Sequence, residues 1–78
     1  MVLTRAFILI ETQVGLAKQV AVALRAMEEV KSADVITGNF DVIAFIEAAD
    51  MSTMADLVTG RVQGIPGVLR TITCVAAG

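Results

Sequence analysis

Apolar and polar positions divide this chain into stretches of strand-like alternation and stretches of helical period. Residues 2–12 are rich in branched and aromatic side chains, with Arg5 and Glu11 near the ends, and predict a strand. Gly15 interrupts the run. From residue 16 to residue 29 the period changes, because Leu16, Val20, Ala23, Leu24 and Met27 recur at helical spacing on one stripe. Residues 30–37 predict a second short strand, starting at Val30 or at Ala33, and the strongly apolar residues 42–49 a third. Between them Gly38, Asn39, Phe40 and Asp41 predict a tight reversal, since Gly and Asn tolerate positive φ. Asp50, Ser52 or Thr53 can cap a second helix, and Thr53 with Asp56 has capping-box spacing. That helix runs to about Val62, with Met54, Leu57, Val58, Val62 and Ile65 as its inward side, until Gly64, Ile65, Pro66 and Gly67 stop it. Residues 68–76 close the chain as a fourth strand.

The order is βαββαβ, two β-α-β halves joined by a turn. It predicts an α+β, ferredoxin-like domain over residues 1–78, with a four-stranded antiparallel sheet and both helices on one face. Two helices cover one side of such a sheet, so the other side should be polar if it meets water. It is not. Ala6, Ile8 and Ile10 alternate with Arg5, Phe7, Leu9 and Glu11, and Val42, Ala44, Ile46 and Ala48 alternate with Ile43, Phe45, Glu47 and Ala49. In the last strand Leu69, Thr71, Thr73 and Val75 oppose Val68, Arg70, Ile72 and Cys74. An apolar second face with a few charges predicts packing against another copy, a homodimer at minimum.

Composition sharpens this picture. The chain has 78 residues, 56% hydrophobic and 18% charged, more apolar than one small core absorbs. Six basic and eight acidic residues give a net charge of −2 without a basic stripe, and Phe7, Phe40 and Phe45 are the only aromatics. Direct nucleic-acid binding is therefore not expected. With one cysteine and no histidine there is no internal disulfide and no ordinary zinc site, and no cofactor is implied. The N-terminal apolar run is too short for a signal peptide or a membrane span, so the expected compartment is the cytoplasm.

Three segments carry a resemblance to a known family. They are the opening Thr4-Arg5-Ala6-Phe7-Ile8-Leu9-Ile10, the turn Gly38-Asn39-Phe40-Asp41, and Ile65-Pro66-Gly67-Val68 followed by Thr71-Ile72-Thr73-Cys74. Together they resemble the effector-binding (RAM) domain of the leucine-responsive/asparagine-type (Lrp/AsnC) transcription regulators, in a stand-alone form without the helix-turn-helix. The resemblance implies a dimer formed by sheet-to-sheet packing into a dimeric α/β barrel, and further assembly into a larger oligomer such as an octamer. It implies a free amino acid as effector, bound in crevices between dimers, and transcription modulated indirectly through full-length relatives. The effector residues it implies are Gly38, Asn39, Phe40 and Asp41 from the turn, Met51 from the start of the second helix, and Thr73, Cys74 and Val75 from the last strand. Phe40 stands where the family usually has tyrosine, which removes a hydroxyl donor.

Each of these residues also has a purely structural role available. Asp41 can accept from an effector's α-ammonium group or make an Asx-type bond within its own turn. Gly38 and Asn39 suit the reversal itself, Phe40 and Met51 suit packing, and Thr73 suits an ordinary strand. Cys74 suits a small buried hydrophobe that nothing activates. Catalysis finds little support. Histidine and tyrosine are absent, lysine occurs only at 18 and 31, and the carboxylates Glu11 and Glu47 have Arg5 and Arg70 as partners. The functions left are an amino-acid-binding regulatory module, a purely structural assembly module and, with least support, a small dimeric-barrel enzyme.

Overall fold

The computed structural model of the chain describes residues 2–77. In chain order the elements are β1 (Thr4–Thr12), α1 (Ala17–Arg25), β2 (Val30–Val35), β3 (Val42–Ala48), α2 (Met51–Leu57), a π-helical segment (Val58–Val62) continuous with α2, and β4 (Val68–Val75). The strands pair antiparallel in one sheet of order β2-β3-β1-β4. This is the ferredoxin-like arrangement. The expected barrel is not formed. The sheet is open, with β2 and β4 on opposite edges and two strands between them. A barrel with a side-chain-filled interior takes about eight strands, and here the helices occupy one face instead.

The core lies between that face and the helices. Ala6, Ile8, Ile10, Val42, Ala44 and Ile46 of the central strands are fully buried. Val20, Ala21 and Leu24 of α1 pack on them together with Met54, Leu57, Val58 and Val62. The alanines let the helices lie close to the sheet, at the cost of less apolar area per residue. No phenylalanine belongs to this core.

The helix after Gly15 is shorter than its periodicity predicts. It ends at Arg25, and residues 26–29 form a turn, with Met27 N–H on Leu24 O and Val30 N–H on Met27 O. Glu28 and Glu29 would otherwise sit at the negative end of the helix dipole, where carboxylates are unfavourable. Arg25 Nε donates to Ala33 O at 2.9 Å and ties the last turn to β2. The cap of α2 is Asp50, whose carboxylate accepts from Thr53 N–H at 2.7 Å, so the Thr53/Asp56 capping box is not used.

In β4 the alternation holds from Arg70 onward. Thr71, Thr73 and Val75 oppose Ile10, Ile8 and Ala6 on the helix side, and Cys74 and Ile72 oppose Phe7 and Leu9 on the other. The register shifts beyond Glu11–Arg70, so that Val68 pairs with Thr12. Val68 therefore packs on the core and Leu69 is exposed, the reverse of their expected sides. Gly67 (φ +97°) passes so close to α1 that a Cβ there would meet Leu16 Cδ1 at 2.9 Å. No helix among the described residues is long and apolar enough to cross a membrane.

Candidate functional site

The helices do not fully cover β4, and the uncovered part of its inner side is a cavity of about 380 Å³. Thr71, Thr73 and Val75, the helix-side residues of β4, form its floor. Met51, Met54 and Ala55 of α2 and Val58 and Thr59 of the π segment form the facing wall, and Gln63 stands where that segment meets β4. The π segment is a wider coil than an α-helix, and such turns recur at functional sites. Thr59 Oγ1 donates to Ala55 O at 2.8 Å, which commits that hydroxyl proton to the helix. Gln63 Nε2 donates to Thr71 Oγ1 at 2.9 Å across the end of the cavity.

Among the described residues no charged side chain lines this space. Its chemistry is an apolar wall facing hydroxyl and amide groups, which suits binding. A neighbouring cavity of about 290 Å³ shares Met51 and Val75 with it, and among the described residues Arg5 is the charged one in its lining. Met51, half exposed at the first position of α2, therefore stands between the two.

The Gly38–Asp41 turn sits at the other end of β3. Gly38 takes φ +134°, with open space where a Cβ would project, and no other residue of the turn has positive φ. Asp41 is engaged on three sides. Its N–H donates to Ile10 O and its carbonyl accepts from Ile36 N–H, each at 2.9 Å. Its carboxylate Oδ2 accepts from Thr12 N–H at 2.8 Å. The local Asx bond is thus replaced by one that spans to the end of β1, where Thr12 is buried beside the register shift. Phe40 lies under the Arg70 guanidinium, 5.3 Å from ring centroid to Cζ, and Arg70 also approaches Glu11 at 3.6 Å.

The sequence-derived site therefore divides. Met51, Thr73 and Val75 come together around one cavity. Gly38, Asn39, Phe40 and Asp41 are separated from Met51 by the length of β3, about 20 Å at the rise of a strand. Cys74 joins neither group. It is exposed on the bare sheet face opposite Phe7, where a buried position was expected. Glu11 lies beside Arg70, and Glu47 lies opposite Arg5 across the β1–β3 pair. Met54, Thr59, Gln63 and Thr71 were not anticipated. The parity of Thr71 with Thr73 was the available signal, whereas nothing in the sequence marks the π segment that brings Thr59 and Gln63 into place. Among the described residues no cluster of His, Cys, Asp and Glu can hold a metal ion. Among the described residues Asp50 is the group held clearly off its ordinary ionisation, its carboxyl lowered by the Thr53 backbone N–H at the start of α2.

Comparison with known proteins adds family and fold. The family described as Lrp/AsnC ligand binding domain matches residues 5–77. No curated protein matches. The chain is similar to hypothetical protein PHS023 from Pyrococcus horikoshii, at 32% identity and a TM-score of 0.89, covering 96% of this chain and 90% of that one. It is equally similar to FFRP-DM1, at 32% identity and a TM-score of 0.91 over 95% of this chain and 99% of that one. The transcriptional regulator NMB0573 from Neisseria meningitidis, solved as its complex with L-Met, shares the fold at 22% identity and a TM-score of 0.86. That match covers 96% of this chain and 50% of the longer regulator.

Proposed function

Since the chain belongs to the Lrp/AsnC ligand binding domain family, we propose that it is a non-enzymatic regulatory module that binds a free amino acid and works as an assembly of copies. The observation that carries this reading is the cavity between α2, the π segment and β4, apolar on one wall and hydroxyl-bearing on its floor. Methionine side chains adapt to differently shaped apolar ligands, which suits a wall containing Met51 and Met54. The relative from Neisseria is a complex with L-Met, and L-methionine is the effector proposed for this chain.

A zwitterion carries two charges, and the cavity lining offers none. Buried charges need partners, so the proposed site is completed by another copy. The Gly38–Asp41 turn of that copy supplies the Asp41 carboxylate to the α-ammonium group, and the backbone at Gly38 and Asn39 to the carboxylate. Phe40 closes the crevice. Thr73 and Val75 belong to the floor. Cys74 contributes through its backbone position beside them, its side chain being on the opposite face.

The copies associate through the bare face, where the Phe7 and Phe45 rings meet tilted at 41° with centroids 4.9 Å apart, among Leu9, Ile43 and Ile72. The proposed role in the cell is cytoplasmic and indirect, through co-assembly with full-length DNA-binding relatives into oligomers larger than a dimer. A calorimetric panel of the twenty amino acids against the assembled protein tests the reading. L-methionine or another apolar amino acid is expected to bind, and silence across the panel would overturn it in favour of an assembly module without ligand.

A further inference from the structure

We propose that the outer edge of β4 pairs antiparallel with the same edge of another copy, about a two-fold axis at Thr73, and so joins dimers into larger assemblies. This rests on the reading of the chain as an assembly of copies held by the bare face. β4 is an edge strand of eight residues, paired on one side only, to β1. Ala76 N–H donates to Arg5 O at 2.8 Å, so the backbone groups of that pair face each other. In an antiparallel ladder such pairs alternate with pairs whose groups point away. Cys74 and Ile72 therefore bond to β1, and the N–H and C=O groups of Thr71, Thr73 and Val75 point out of the sheet edge.

The other edge of the sheet is guarded and this one is not. β2 has six residues, carries Lys31 and Asp34, and shifts register after Val30. Short length, charges and bulges are the usual means by which a sheet edge resists pairing. From Thr71 to Val75 there is no charge, proline or glycine, and residues 72–75 are exposed. A second copy is the occupant this edge matches. A two-fold axis at Thr73 sets Thr73 opposite itself and Thr71 opposite Val75, and each such pair exchanges N–H and C=O. On the bare side the same register sets Ile72 opposite Cys74, so apolar meets apolar and no like charges face each other. The bare faces of the two copies become continuous, and the result is an open sheet. A seam of one strand pair is weak by itself in water. It joins copies already dimerised through the bare face, and each such dimer offers the edge twice.

Thr73→Pro is the direct test, because it removes an N–H that β1 does not use, and proline is tolerated in an edge strand at such a position. Thr73→Val keeps the N–H and serves as the control. Sedimentation velocity compares both with the wild type, and circular dichroism checks the fold of each. The wild type and Thr73→Val should form species larger than a dimer, and Thr73→Pro should lose them and stop at the dimer. A second measurement does not depend on how well Thr73→Pro folds. Thr73→Cys in a Cys74→Ser background places two thiols across the axis, at a Cα separation of about 5.5 Å, within the range of a disulfide. Mild oxidation should give a covalent dimer on a non-reducing gel. A folded Thr73→Pro that assembles as far as the wild type does, or a Thr73→Cys protein that assembles without cross-linking, would overturn the proposal. So would a wild type that stops at the dimer and leaves this edge to another partner, with the bare-face association intact. A wild type that is monomeric at every concentration would overturn the proposal and the assembly reading together.

Discussion

The two faces of this sheet are made from alternate residues of the same strands, yet they carry different kinds of apolar residue. On the helix side Ala6, Ile8, Ile10, Val42, Ala44 and Ile46 are small or branched and fully buried within the chain. On the other side Phe7, Leu9, Ile43, Phe45 and Ile72 are larger on average and remain partly or substantially exposed. A chain built only to hold itself together would place its aromatic residues where its own helices cover them. Here the helix-covered face is thin and self-sufficient, and the bulky face has cover only from outside. The high apolar content of the sequence is thus divided between a fold and a surface for association.

The largest expected effect lies on the covered face. Ile8→Ala should destabilise the fold by about 2–5 kcal/mol, as large-to-small changes in packed cores do. A domain of this size has little reserve. Denaturant unfolding would show the loss at every protein concentration. The matched change on the bare face is Phe7→Glu, which should spare the monomer fold and abolish association. Sedimentation would then give a monomer, and the thermal midpoint would no longer rise with protein concentration. An oligomer that survives Phe7→Glu would break the comparison.

A smaller effect is expected where the two faces meet. Asp41 holds Thr12 N–H at the end of β1, while Phe40 beside it touches Arg70 on the bare side. Asp41→Ala leaves the buried Thr12 N–H unpaired and should cost about 1–3 kcal/mol. Asp41→Asn keeps an acceptor oxygen for that bond and should cost clearly less in the same denaturant titration. The pair separates the structural duty of Asp41 from its charge.

The smallest effect concerns the helix that covers β3. The Asp50 carboxyl is held below its ordinary value of 3.8 by the Thr53 N–H, so the folded state favours its ionised form. Its contribution is therefore present above that value and fades as pH falls below it through the lower folded value. Asp50→Ala should lower the thermal midpoint slightly at neutral pH and flatten its decline in acid, as followed by circular dichroism.

Strand identity and facing were legible because alternation is a local signal with a period of two, and Ile8 beside Phe7 states it directly. The α2 core positions were legible for the same reason at helical period. The exceptions have separate physical causes. The displacement of Val68 and Leu69 follows from a register shift set by pairing with Thr12, which no local pattern encodes. The early end of α1 reflects Glu28 and Glu29 against the helix dipole. The π segment has no signature in the spacing of Val58 and Val62, so Thr59 and Gln63 went unrecognised. For the site, family likeness brought together residues that lie at opposite ends of β3 in one chain, as the crevice between copies that it implies requires.

That point admits a direct measurement. Asp41→Asn disables the turn's charge, and Thr73→Arg fills the floor of the cavity. The two variants would be co-expressed with different tags, and the mixed assembly would be titrated with L-methionine beside each variant alone. Each variant alone should assemble and fail to bind. The mixture should recover binding, because some of its sites join an intact turn from one copy to an intact cavity from another. A mixture that assembles but stays silent, or an Asp41→Asn protein that binds as wild type does, would contradict a site shared between copies.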